Sequence, residues 1–67
     1  MYKPKERIIR AKMVEKGLKH GDMAKLCHLT RTGWALFLKG EHKARIDTAL
    51  IVAKALETPV EELFELL

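Results

Sequence analysis

The residues of this chain with chemistry to offer are a few basic and hydroxyl side chains gathered around one short segment. Arg31 and Thr32 open a stretch, Arg31 to about Lys39, in which Trp34, Phe37 and Leu38 fall at i, i+3 and i+4. On a helix that spacing makes one apolar stripe and turns Arg31, Thr32, Ala35 and Leu36 to the opposite side. A guanidinium fork can donate two hydrogen bonds to guanine O6 and N7. A threonine can bond a base or touch a thymine methyl, and Ala35 and Leu36 can make only apolar contacts with such methyls. Were such a face set against DNA, two polar positions in four would give modest direct readout of bases and more reliance on phosphates and DNA shape. In that setting phosphate contacts would fall on the flanks, at Lys19, His20 and Gly21 before the segment and at Thr30, Lys39, His42, Lys43 and Arg45 around it. Each flanking residue taken alone is open to a plain alternative, a solvated side chain. For Arg31 the alternatives are a phosphate contact or a solvated arginine, and for Leu36 a contact with a protein.

Other chemistries find no support. Cys27 with His20, His28 and His42 has no recognised zinc spacing, so no metal is expected. Cys27 is read as a small buried hydrophobe and Trp34 as core. There is no nucleophile with a supporting base and no glycine-rich phosphate loop, so neither catalysis nor a cofactor is expected.

The elements that must position these residues are short. The chain has 67 residues, room for a single domain over 1–67 with a small core, and 48% of them are apolar, too many for a disordered chain. The longest apolar runs, Trp34 to Leu38 and Ala49 to Ala53, cannot span a membrane. No signal peptide is read at the N-terminus, and the single cysteine fits a reducing cytosol, so a cytoplasmic, nucleoid-associated location is expected. Residues 1–45 carry 12 Lys/Arg against 4 Asp/Glu, whereas residues 46–67 carry 1 against 5. A basic front with an acidic tail gives one face that phosphates attract and one that they do not.

Breaks at glycine, proline and polar residues divide the chain into five helices, about 5–16, 20–27, 31–39, 46–56 and 59–66. No run alternates well enough for a strand. Ile8, Ile9 and Met13 share a face of the first helix, which Gly17 ends. Met23, Ala24 and Cys27 are the core side of the second. Its start is weakly capped by Lys19, although its N-terminal N–H groups could still face a phosphate. Thr30 caps the third helix and Gly40 ends it. The fourth turns Ile46, Ala49, Leu50, Ala53 and Leu56 inward. The fifth shows Thr58 as cap, Pro59 at the first helical position and Glu61 three residues after the cap. Tyr2-Lys3-Pro4-Lys5 is read as a frayed end in preference to an arm tracking the DNA backbone.

With these pieces in place the chain resembles the XRE family of small helix-turn-helix domains, the lambda-repressor-like DNA-binding fold. Lys16-Gly17-Leu18 stands before the second helix and Met23-Ala24 at its centre, where members commonly show Leu-Ala. Thr30-Arg31 opens the third helix and Lys39-Gly40 closes it. Val52-Ala53-Lys54-Ala55-Leu56 and the closing Glu61-Glu62-Leu63-Phe64 complete the pattern, which covers about Ile9 to Phe64. The resemblance implies an all-α, five-helix domain whose second and third helices form the helix-turn-helix, with the third entering the major groove. The chain departs from the family at His28, where the turn residue is usually glycine, at Lys19-His20, at Gly33, Ala35 and Leu36, and at Ala44-Arg45.

One such domain reads about half a turn of DNA, so a homodimer on a palindromic operator is expected. Val60, Leu63, Phe64, Leu66 and Leu67 are more apolar groups than one short helix can hide, and they are the expected dimer contact. The function so implied is a sequence-specific double-stranded DNA-binding transcriptional regulator acting as a dimeric repressor. Two alternatives stay open. One is the antitoxin half of a toxin–antitoxin pair, with Leu26, Leu36 and the C-terminal leucines serving a partner protein. The other is an accessory DNA-binding factor of a mobile element.

Overall fold

The computed structural model describes residues 2–41 and 45–66. The chain runs β1 (Tyr2–Pro4), α1 (Glu6–Lys16), α2 (His20–Leu26), α3 (Arg31–Leu38), α4 (Ile46–Leu56), α5 (Val60–Leu63) and β2 (Phe64–Leu66). The first four helices fall within one residue of the sequence reading.

Four helices stop by the same device, a left-handed residue followed by a back-bonded N–H. At Gly17, His28, Gly40 and Glu57 φ is 69°, 57°, 80° and 51°. After α2, for example, His28 N–H donates to the Lys25 carbonyl at 3.1 Å and Leu29 N–H to that of Ala24 at 2.8 Å. His28 therefore occupies the turn conformation that glycine adopts without strain. Thr30 then caps α3, its Oγ1 accepting from Gly33 N–H at 2.9 Å. A Cβ on Gly33 would come within 3.2 Å of that Oγ1 and 3.6 Å of Leu29 Cβ, so the absent side chain leaves room for the cap.

The C-terminal third corrects the sequence reading. The fifth helix is a single turn, not 59–66, and Phe64 leaves it with extended backbone, φ −133° and ψ 147°. Thr58 does not cap it. Its N–H closes the end of α4 by donating to the Ala53 carbonyl at 3.1 Å, and its Oγ1 donates to that of Leu56 at 2.9 Å. The cap-and-proline signature thus marks the exit from α4. Residues 64–66 instead pair with the N-terminus as an antiparallel ribbon, Tyr2 opposite Leu66, Lys3 opposite Glu65 and Pro4 opposite Phe64. Tyr2 to Pro4 is consequently neither frayed nor an arm.

The core draws on every helix: Ile9 and Met13; Met23, Ala24 and Cys27; Trp34, Phe37 and Leu38; Ala49, Val52, Ala53 and Leu56; and Leu63, joined by Phe64. On α4 the inward stripe is rotated from the expected one. Ala49, Val52, Ala53 and Leu56 are buried, whereas Ile46 and Leu50 are 47% and 53% exposed. Ile8 also lies largely outside, beside the buried Ile9. Among the described residues no helix is long and apolar enough to cross a membrane.

Candidate nucleic-acid interface

The α2–α3 pair carries the residues singled out by their chemistry. Arg31, Thr32 and Ala35 are exposed on α3, and Leu36 is half-buried. Trp34 and Phe37 point the other way, fully and almost fully buried, with ring centroids 5.6 Å apart. The helical phase read from the sequence is therefore the phase observed.

On the flanks Lys19, Lys39 and Arg45 are exposed, and His20 and Gly21 are half-buried. Thr30 is exposed, with its Oγ1 engaged by the α3 cap. His42, Lys43 and Leu67 lie outside the described residues. At the start of α2 no side chain caps the helix; instead Asp22 Oδ2 accepts from Lys19 N–H at 2.9 Å. A lysine side chain has no acceptor to offer there, so only this half of a capping box forms.

His20 is better defined than the sequence indicated. Its Nδ1 accepts a hydrogen bond from the buried Trp34 indole, Nε1 to Nδ1 2.9 Å. Buried indoles generally find such a partner. A histidine whose Nδ1 accepts carries its hydrogen on Nε2, the far side of the ring.

Two shallow clefts adjoin here. One, of about 320 Å³, is lined by Arg10, His20, Arg31, Trp34, Ala35, Leu38 and Lys39. The other, of about 310 Å³, shares Arg10, His20 and Arg31 and adds Lys19 with Met13, Val14 and Leu18. Among the described residues no acidic side chain lines either cleft. Arg31, Ala35 and Lys39 are brought together with Lys19 and His20. Arg45, at the start of α4, lines neither cleft. Arg10 is a residue that sequence reasoning missed. It lies one turn before the buried Met13, at i, i+3, and that position on the rim of the core stripe was the available signal. Its guanidinium is also held by Glu6, with Nη2 and Nε each 2.9 Å from Oε2, in an exposed pair of small energetic weight.

The residues expected at a dimer contact divide. Leu63 and Phe64 are buried in the protomer's own core, so their apolar surface is not free for a second copy. Val60 is half-buried and Leu66 is 69% exposed. These two line a groove of about 530 Å³ together with Tyr2, Ile46, Leu50 and Phe64, with Lys5, Glu61 and Glu65 also on its walls. Cys27 is buried, and desolvation pushes its thiol above the ordinary value. Among the described residues no cluster of His, Cys, Asp or Glu could hold a metal ion.

No protein-family model matches the chain, and no curated protein matches it either.

Proposed function

We propose that the protein is a double-stranded DNA-binding regulator of the lambda-repressor-like, XRE type, using α2 and α3 as a helix-turn-helix and laying α3 in the major groove. The observation that carries this reading is the face shared by α1, α2 and α3. Arg10, Lys19, His20, Arg31 and Lys39 line two adjoining clefts there, and among the described residues no acidic side chain lines either, Glu6 holding Arg10 from outside them. Phosphates are drawn to such a face, while the acidic C-terminal third is turned to other uses. Thr32 and Ala35, exposed one turn apart on α3, are the residues for base edges, with an apolar contact from the partly covered Leu36. Arg31, at the leading end, has the reach for base or phosphate. Readout is light, and site choice draws on DNA shape as well as on contacts.

Two copies complete the reading, bound to a palindrome in the cytoplasm and repressing by occupancy. The pairing surface is the groove of Ile46, Leu50, Val60 and Leu66, whose walls carry both signs of charge. A two-fold copy can set Lys5 against the partner's acidic wall of Glu61 and Glu65.

The reading is tested by titrating labelled duplexes, random and library-selected, and following fluorescence anisotropy between 50 and about 300 mM salt. Retention at low salt with a steep loss as salt rises is expected. A chain that leaves every duplex unbound at low salt sinks the proposal.

A protein-partner role, as in an antitoxin, has one observation in its favour. Leu26 is 45% exposed and lines a mainly apolar groove of about 470 Å³ with Leu18, Ile51, Ala55 and Lys54. Co-purification of a second chain that a Leu26→Glu variant releases would establish it.

A further inference from the structure

We infer that Arg10, His20 and Arg31 form one binding site for a phosphate of the duplex backbone, and that Trp34 is its positioning residue. The inference rests on the DNA-binding reading above and goes further, because it assigns a ligand group to a specific cleft and moves Arg31 from base reading to phosphate holding.

The three side chains come from three elements, yet both clefts are lined by all three of them. A phosphate oxygen is the acceptor that an arginine fork suits best, and two such forks line the same clefts. Glu6 engages Arg10 from its own helix, four residues away, and does not line the clefts. Glu6 thus answers one side of Arg10 from outside the clefts, whereas among the described residues Arg31 and His20 have no acidic partner.

His20 supplies a directed donor. Its Nδ1 is occupied by the Trp34 indole N–H at 2.9 Å, so the hydrogen sits on Nε2 and the ring is held from beneath by a fully buried side chain. A donor fixed in this way loses little freedom when it bonds a phosphate oxygen. Trp34 makes no contact with DNA in this scheme. Its indole sets the tautomer and the angle of the ring that does.

The test uses the full chain with a labelled random-sequence duplex and a panel of selected duplexes. Arg10→Gln and Arg31→Gln should each weaken binding to every duplex alike and lower the slope of log K against log salt by about one. His20→Leu should weaken binding roughly three- to tenfold with the slope unchanged, since an uncharged donor releases no counterion. His20→Gln, which keeps an acceptor for the indole and a donor for the phosphate, should recover most of that loss. Trp34→Phe removes the N–H while keeping a ring in the core. On the His20→Leu background it should cost no further affinity, whereas a merely structural Trp34 would add its effect to that of His20. Thermal melts of each variant confirm that the folded fraction is compared.

If the wild-type chain binds no duplex, the DNA-binding reading falls and this inference with it. If the wild type binds but Arg10→Gln and His20→Leu match it in affinity and slope, the inference alone is overturned. A re-ordering of duplex preference by Arg31→Gln would return Arg31 to base reading and likewise break the three-residue site.

Discussion

Replacing His28 by glycine should stabilise the protein, by an amount that follows from one dihedral angle. His28 joins α2 to α3 with φ at 57°, a conformation that costs an L-residue about 1–2 kcal/mol. Glycine adopts it freely but brings more freedom to the unfolded chain, which takes back about 0.4–1 kcal/mol. His28 is exposed, and no side-chain hydrogen bond or ion pair among the described residues involves it, so nothing else is lost. At the middle of these ranges the net gain is about 0.8 kcal/mol, or roughly 3–6 °C in Tm for a domain of this size. Thermal melts by circular dichroism would measure it, with His28→Ala as the control that keeps the strain and should gain nothing. The same exchange at Glu57, where φ is 51°, should gain less. There Glu57 Oε2 also meets Lys16 Nζ at 3.2 Å, a contact that glycine would forfeit. A lower Tm for His28→Gly, or an equal rise for His28→Ala, would show that the imidazole itself acts in the turn and would refute the strain argument.

Further outcomes follow from the core and the grooves. Leu50→Glu puts a charge in the centre of the proposed pairing groove, and sedimentation should show dimer affinity reduced by at least about tenfold, near 1.4 kcal/mol; an unchanged association constant would move the interface elsewhere. Phe64→Ala removes a buried ring that packs edge-on against Tyr2 and Phe37, at centroid distances of 6.2 and 6.0 Å. Its cost of about 3–5 kcal/mol is most of what a small domain has, so the far-ultraviolet signal at 25 °C should be largely lost, and a cooperative melt near that of wild type would contradict the assigned core. Burial raises the Cys27 thiol, so the folded chain keeps that proton to higher pH than the unfolded chain. Its share of stability is then whole below the free-thiol value of about 8.5 and declines as pH rises from there through the folded value. The difference in urea midpoint between wild type and Cys27→Ala should drift against the wild type from pH 8 to 10, and parallel curves would dismiss the effect.

What could be read in advance divides along the line between local and distant determinants. The stripe Trp34-Phe37-Leu38, the Thr30 cap and the stop at Gly17 each depend on residues within a turn or two, and each is found as read. The terminal ribbon depends on pairing Tyr2–Pro4 with residues 64–66, three residues a side, too few for an alternating pattern to announce itself. Thr58-Pro59 misled for a related reason. A threonine N–H can serve the helix that ends as readily as its hydroxyl serves the helix that begins, and α4 took it. At the candidate site the helical phase exposed Arg31 and Thr32, but Arg10 stayed hidden because its neighbours in the cleft come from other helices. The bond from Trp34 to His20 spans fourteen positions and leaves no mark in local spacing.

The placement of the small residues on α4 bears on the cleft itself. Arg10 rides on α1, whereas His20 and Arg31 belong to the α2–α3 pair, and these two parts need a common support. α1 packs chiefly on α4 and α5, and α2 packs on α3 and α4, so α4 is the element that both parts share. Its inward stripe alternates small and large, Ala49 and Ala53 with Val52 and Leu56, all buried. Alanines there let neighbouring helices approach closely, and the larger pair fills the remaining space. From the far side a row of rings runs inward: Tyr2 on Phe64, Phe64 on Phe37, Phe37 on Trp34, and Trp34 bonded to His20. The ribbon that joins the two ends is thus continuous, ring by ring, with the imidazole in the basic cleft.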